Sequence, residues 1–315
     1  MLGEGMPLVS LYDAYWDPDE FRADPAVRLD ERQMPLRLGV LLTRLDPAMA
    51  GHPLGGTGFA WTFFGGRPSQ PPGEVLPWPR RRDGSPLAHV MQVDLYAQSL
   101  GESEETMAPT GLPVWGLLQF FHDTETYGWD EADSDAWHVR WVPSQDEDRD
   151  QAWTAAPFPP GLTPDYQRDP VPVHGEIAPT IPIVSPVELT EEESDRYWKI
   201  YEYTNEHGYD QNLGRPAWDD NPLTPWDEGY EPRLDPSRLA GFSAVPEDED
   251  YHPRLAQLLP VEPGDDHVLL ADIHGLQLGE RDWFHGGRHV EFWMRSSDLR
   301  ARRFDRAWAF IRTDH

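Results

Sequence analysis

A chain of 315 residues with 38% hydrophobic side chains and 26 glycines can bury one large core or two ordinary ones, so its 33 prolines signal loops and short strands rather than wholesale disorder. A formal net charge of -30 repels phosphate backbones and anionic headgroups, which argues against nucleic acid and membrane partners and favours a basic protein or a cation. The absence of cysteine removes disulfides, thiolate zinc sites and cysteine nucleophiles.

The first residues carry no basic and apolar leader, and no apolar run reaches the roughly 18 residues of a membrane span, so a soluble cytoplasmic protein is expected. Residues 1–59 read as a lead-in packed on the domain, with Tyr12, Tyr15, Trp16 and Phe21 as anchors. Within it, Met34 to Leu45 alternates Leu36, Leu38, Val40 and Leu42 and is expected to be a strand. Gly55, Gly56 and Gly58 follow, but no Lys-Ser/Thr and no helical pattern come after them, so they mark a turn and not a phosphate loop.

Residues 60–142 read as a first strand unit. Gly65-Gly66 makes a turn, and Pro68, Pro71, Pro72, Pro77 and Pro79 carry an extended path that Trp78 anchors into the core. Ala88 to Leu95, Val114 to Phe121 and Trp137 to Val142 are its expected strands. Residues 143–236 form a Pro-rich connection, irregular from Pro143 to about Pro186. It holds one helix near 190–207, where Thr190 and Glu193 form a capping box and Gly208 sits at the stop.

Residues 237–315 read as a second unit, with strands at His267 to Ile273, His289 to Met294 and Ala307 to Ile311 and a short helical turn starting at Ser296 or Ser297. Residues 276–315 hold eight arginines and six acids, net +2, against -32 for the first 275, so this end is expected to pack on the acidic remainder. The two strand sets match in order, with Gln119-Phe120-Phe121 over Glu291-Phe292-Trp293. The expected fold is therefore α+β and strand-rich: two pseudo-equivalent antiparallel strand units from an internal duplication, few helices, long Pro-rich loops, and one compact domain overall.

Phe64-Gly65-Gly66-Arg67-Pro68, Leu76-Pro77-Trp78-Pro79, Gly84, Pro86-Leu87, Gln92-Val93-Asp94 and Gly116 to Phe121 resemble the YwqG-like family of bacterial proteins of unknown function. Ser237 to Phe242, Gly287, Phe292-Trp293, Asp298-Leu299 and Phe304 follow that family's later pattern, with Ser237 standing where the family tends to have His. The resemblance implies a mixed α+β fold with a duplicated strand unit. It brings no established activity, and an association with toxin and immunity gene clusters makes an antitoxin role thinkable.

Chemistry-bearing patterns are sparse. His285, His289 and Glu291 have ligand spacing only if helical, and Gly286-Gly287 breaks a helix there, so no metal site is expected. Asp133 and Asp135 lie in an acidic loop without the turn glycine and terminal glutamate of a calcium loop. No nucleophile elbow appears, so no catalytic residue and no cofactor are assigned. Gln92, Asp94, Asp272 and Glu291 interrupt apolar strands, where a polar group must find partners or serve a site, and with Trp78 they are the ligand-binding candidates. Three readings stand: a non-enzymatic acidic binding or immunity-type protein engaging a basic, toxin-like partner; an enzyme or small-ligand protein with a cleft between the halves; and carbohydrate binding by some of the 14 tryptophans.

Overall fold

The computed structural model describes residues 37–44, 62–95, 110–143, 153–180, 237–243, 251–275, 283–284 and 289–312. Its strands are β1 (Arg37–Arg44), β2 (Phe63–Phe64), β3 (Ser69–Gln70), β4 (Ala88–Asp94), β5 (Leu117–His122), β6 (Trp137–Val142), β7 (Thr154–Ala155), β8 (Val171–Thr180), β9 (Ser237–Ala240), β10 (His267–His274), β11 (His289–Arg295) and β12 (Trp308–Arg312). Helices α1 (Tyr251–Leu258) and α2 (Ser296–Arg300) are short. The fold is α+β and strand-rich. No helix among the described residues is long and apolar enough to cross a membrane.

Ten strands form one antiparallel sheet in the order β12-β11-β10-β9-β1-β8-β2-β4-β5-β6, and β3 pairs with β7 beside it. Strand β1, from the lead-in, and β8, from the Pro-rich connection, pair from Arg37↔Thr180 to Arg44↔Val173 and form the middle of the sheet. Val40 and Leu42 of the expected alternating face are fully buried. The stretch from Pro143 to Pro186 is therefore not irregular throughout. Pro172, Gly175 and Pro179 hide a strand of ten residues: Pro172 lies just beyond the last β1 pair at Val173, and among the described residues β2 pairs β8 only at Val171 and Pro172 and so asks no donor of Pro179.

The three strands expected in each unit are present, and their registers correspond. Strand β4 bulges between His89 and Met91 where it pairs with β5, and β10 bulges between Leu269 and Ala271 where it pairs with β11. Beyond each bulge, Met91↔Phe120 and Gln92↔Gln119 stand where Ala271↔Phe292 and Asp272↔Glu291 stand. On the inner side, β2 flanks β4 as β9 flanks β10, and the main chain leaves both short strands through left-handed residues: Gly65 and Gly66 at φ 62 and 65, Ala240 and Gly241 at φ 54 and 75. The Thr62 hydroxyl accepts the Asp94 N–H at 3.0 Å, and the Ser237 hydroxyl accepts the His274 N–H at 2.9 Å.

Phe120 and Phe292 meet edge to face with centroids 5.1 Å apart, so the core between the two strand sets is aromatic. The outermost strands are then clasped crosswise. The β5–β6 loop lies along β12, with the Ile311 N–H donating to Tyr127 O at 3.2 Å and the Trp308 indole to Gly128 O at 2.9 Å. In return, the Trp137 indole at the start of β6 donates to Ala307 O at 2.9 Å, and the Trp137 and Trp308 rings stand 4.8 Å apart. Gly128 is required here: its φ is 81, and a Cβ would overlap the Ala309 carbonyl. An edge that would otherwise template aggregation is covered in this way.

Strand β5 begins at Leu117 rather than Val114, because Gly116 turns the chain at φ 100. The turn after β11 starts a helix at Ser296, as expected. The helix expected near 190–207, the glycine turn at 55–58 and the lead-in aromatics lie outside the described residues.

Candidate functional site

Alternation places Gln119 and Glu291 on the face of the sheet opposite Phe120 and Phe292, away from the aromatic core where those rings meet. In the first half, the Gln119 amide donates to Gln92 Oε1 at 2.9 Å and to Ser69 O at 2.6 Å, while Gln92 Oε1 also accepts the Ser69 N–H at 2.8 Å. Arg140 closes the set by donating through Nε to Gln119 Oε1 at 2.9 Å and through a terminal nitrogen to Pro77 O at 2.9 Å. Burial lowers the Arg140 pKa to about 10. Trp78 tethers the proline run, its indole donating to Leu87 O at 2.8 Å and its ring 5.7 Å from Phe121. The extended segment 69–78 thus lies over a neutral amide pair, which Ser69 meets with its main chain and hydroxyl and Arg140 with its guanidinium.

At the matching position in the second half, Asp272 and Glu291 are fully buried carboxylates. The Ser243 hydroxyl and the Tyr251 phenol both donate to Glu291, and the Trp293 indole adds a bond at 2.8 Å. Arg312 supplies the counter-charge at 3.5 Å from Glu291 and lays its guanidinium 3.7 Å over the Tyr251 ring. Burial, and then the Glu291 charge, push the Tyr251 phenol well above its ordinary pKa, so it stays a donor. Asp272 meets the His289 imidazole at 2.6 Å and the Ser243 hydroxyl at 3.4 Å, and the His274 and His289 rings stand 4.5 Å apart.

Of the five sequence candidates, the structure brings together Asp272 with Glu291, and Gln92 with the neighbourhood of Trp78. It leaves these two groups in separate halves. Asp94, 5% exposed, lies two residues beyond Gln92, its main chain tied to Thr62. His289, weighed above only as a metal ligand, and Ser243, Tyr251 and Arg312, which no local pattern announces, converge from β11, β9's exit, α1 and β12. With donors on both oxygens, Glu291 is occupied as an acceptor and serves as a tie between those elements.

Two buried histidines complete the polar interior. His89 donates from Nδ1 to Gly65 O at 2.7 Å, and His122 accepts the Thr124 N–H at Nδ1 at 2.8 Å; among the described residues Nε2 of each has no partner. Burial lowers both pKa values to about 4, so both rings are neutral near pH 7. Among the described residues no group of three or more His, Asp or Glu is placed to hold a metal ion. Asp133 accepts the Asp130 N–H at 3.3 Å, and Asp135 accepts the Arg82 N–H at 2.7 Å and stands 3.4 Å from Arg81, so these loop acids are structural.

A family model described as a domain of unknown function (DUF1963) matches residues 62–312. The match spans most of the sequence, and the chain belongs to that family. No curated protein matches it.

Proposed function

We propose that this chain is a YwqG-like, non-enzymatic, acidic binding protein of the cytoplasm that engages a basic protein partner, in an immunity-type role. The observation that carries this reading is the contrast between its buried and exposed acids. Asp272 and Glu291 are enclosed and bonded to donors, whereas Glu125, Asp130 and Glu131 on the β5–β6 loop are exposed. Among the described residues only Arg254, 3.6 Å from Asp130, comes within ion-pair range of any of the three. With a net charge of -30, such a surface steers a basic partner and repels anions.

The test is capture of a basic protein by the full chain from lysate at low and high salt, repeated with Glu125, Asp130 and Glu131 changed to Gln, Asn and Gln. Capture that weakens with salt and with the triple variant supports the reading; no partner, or one indifferent to salt, removes it. The small-ligand alternative draws on one observation: Arg238 pairs with Asp272 in register and is 5% exposed, yet among the described residues its Nε has no hydrogen-bond partner.

A further inference from the structure

Residues 296–306 place four exposed arginines, Arg300, Arg302, Arg303 and Arg306, on one short turn of a chain whose net charge is -30. Their backbone is fixed from beneath. Leu299 and Phe304 are buried, and the buried Asp298 carboxylate holds Arg295 at 2.9 Å and Arg303 at 2.6 Å. Helix α2 closes with the Arg302 N–H on Leu299 O and the Arg303 N–H on Asp298 O, both at 2.9 Å, the pairing of a Schellman motif.

That motif sets its closing residue in the left-handed region, where glycine is the usual choice because a Cβ is strained. Here Arg302 occupies it at φ 57, with its guanidinium 4.9 Å from the centre of the half-buried Trp141 ring. The side chains are also short of counter-charge. Arg300 has its nearest carboxylate, Asp265, at 3.9 Å, and among the described residues Arg306 makes no side-chain hydrogen bond or ion pair. A strained backbone position is kept for a side chain that points a charge outward.

We propose that Arg300, Arg302 and Arg306, flanked by Trp141, form a docking surface for an acidic segment of a partner protein. Guanidinium forks take carboxylates in pairs, and the indole supplies an apolar flank. The surroundings set the length of the occupant. The first 275 residues carry -32, so a long polyanion leaving the patch runs into a repelling field, while a short acidic segment ends within it. This surface is opposite in sign to the acidic loop and does not depend on the reading given for that loop.

The test uses the full chain and a fluorescein-labelled octaglutamate peptide, followed by anisotropy at low ionic strength. In the Arg302→Gly/Arg306→Ala variant the dissociation constant should rise about tenfold or more, while the melting temperature holds or rises because glycine relaxes the left-handed residue. Failure of the parent protein to bind at any salt, or equal binding by the variant, overturns the proposal. A lower melting temperature with unchanged binding would make Arg302 a packing residue only. Tighter binding of an octathymidylate through the same arginines would make the surface a nucleic acid site, and sedimentation showing a second copy on the patch in place of the peptide would make it a self-association site; either result also overturns the proposal.

Discussion

The pairs Gln92–Gln119 and Asp272–Glu291 hold the same place in two halves of one sheet, yet they are served in different ways. The glutamines are neutral and answered by the main chain and hydroxyl of Ser69 and by Arg140, which also reaches Pro77 O. The carboxylates are answered by the side chains of Ser243, Tyr251, Trp293, His289 and Arg312. An amide carries its own donors and acceptors, so the neutral pair bonds to itself through the Gln119 amide and Gln92 Oε1. A carboxylate only accepts, so it recruits donors from several elements and binds them together. Changing the chemistry of the pair while keeping its place replaces Ser69 and Arg140 as partners by the side chains of Ser243, Tyr251, Trp293, His289 and Arg312.

Breaking that contrast should produce the largest effect. Glu291→Ala takes a charged acceptor from buried Arg312 and from the Tyr251 hydroxyl and should cost ~3–5 kcal/mol in denaturant unfolding. Gln119→Ala removes neutral bonds and the acceptor of a half-buried arginine, and should cost ~1–3 kcal/mol. Equal losses would show that the charge adds nothing to the tie.

Acid should find its weak points in the first half. His89 and His122 have folded pKa values of about 4 against an ordinary value of 6.5. The unfolded chain therefore binds protons that the folded one refuses, and stability present above pH 6.5 is lost as pH falls towards about 4, by up to ~3 kcal/mol for each ring. Thermal melts of His122→Gln across that window should show a shallower decline than the parent; an unchanged slope would remove His122 from the account.

The clasp offers a smaller lever. Gly128→Ala forces a Cβ onto the Ala309 carbonyl at a φ of 81 and should cost ~1–3 kcal/mol, with faster amide exchange along β12 as its signature. The smallest effect is expected from Arg254→Ala. It removes the 2.7 Å bond from a half-exposed guanidinium to Trp129 O and should shift stability by ~1 kcal/mol, read as a small change in denaturation midpoint.

Strands with clean alternation and no breakers were legible in the sequence: β6, β10 and β11 lie within a residue or so of their expected bounds. Strand β8 was not, because Pro172, Gly175 and Pro179 punctuate it, and a strand defined by its partner β1 leaves little local signal. Strand β9 is four residues long, and α1 carries Pro253 in its first turn, so neither rises above its flanks. The same physics governs the site. Asp272 and Glu291 could be singled out because polar groups inside apolar strands demand partners. Which partners come depends on the fold: Tyr251 and Ser243 stand 40 and 48 positions from Glu291.

The crosswise clasp bears on how the chain is made. During synthesis, β6 emerges long before Ala307, the residue its Trp137 indole bonds, and the 127–128 carbonyls emerge long before the strand they seal. Until β12 emerges, the Trp137 indole and the Tyr127 and Gly128 carbonyls therefore wait without the partners they take in the folded chain, an interval in which nascent chains are prone to pair with the wrong neighbour. Slowing translation between β6 and β12 should lengthen that interval.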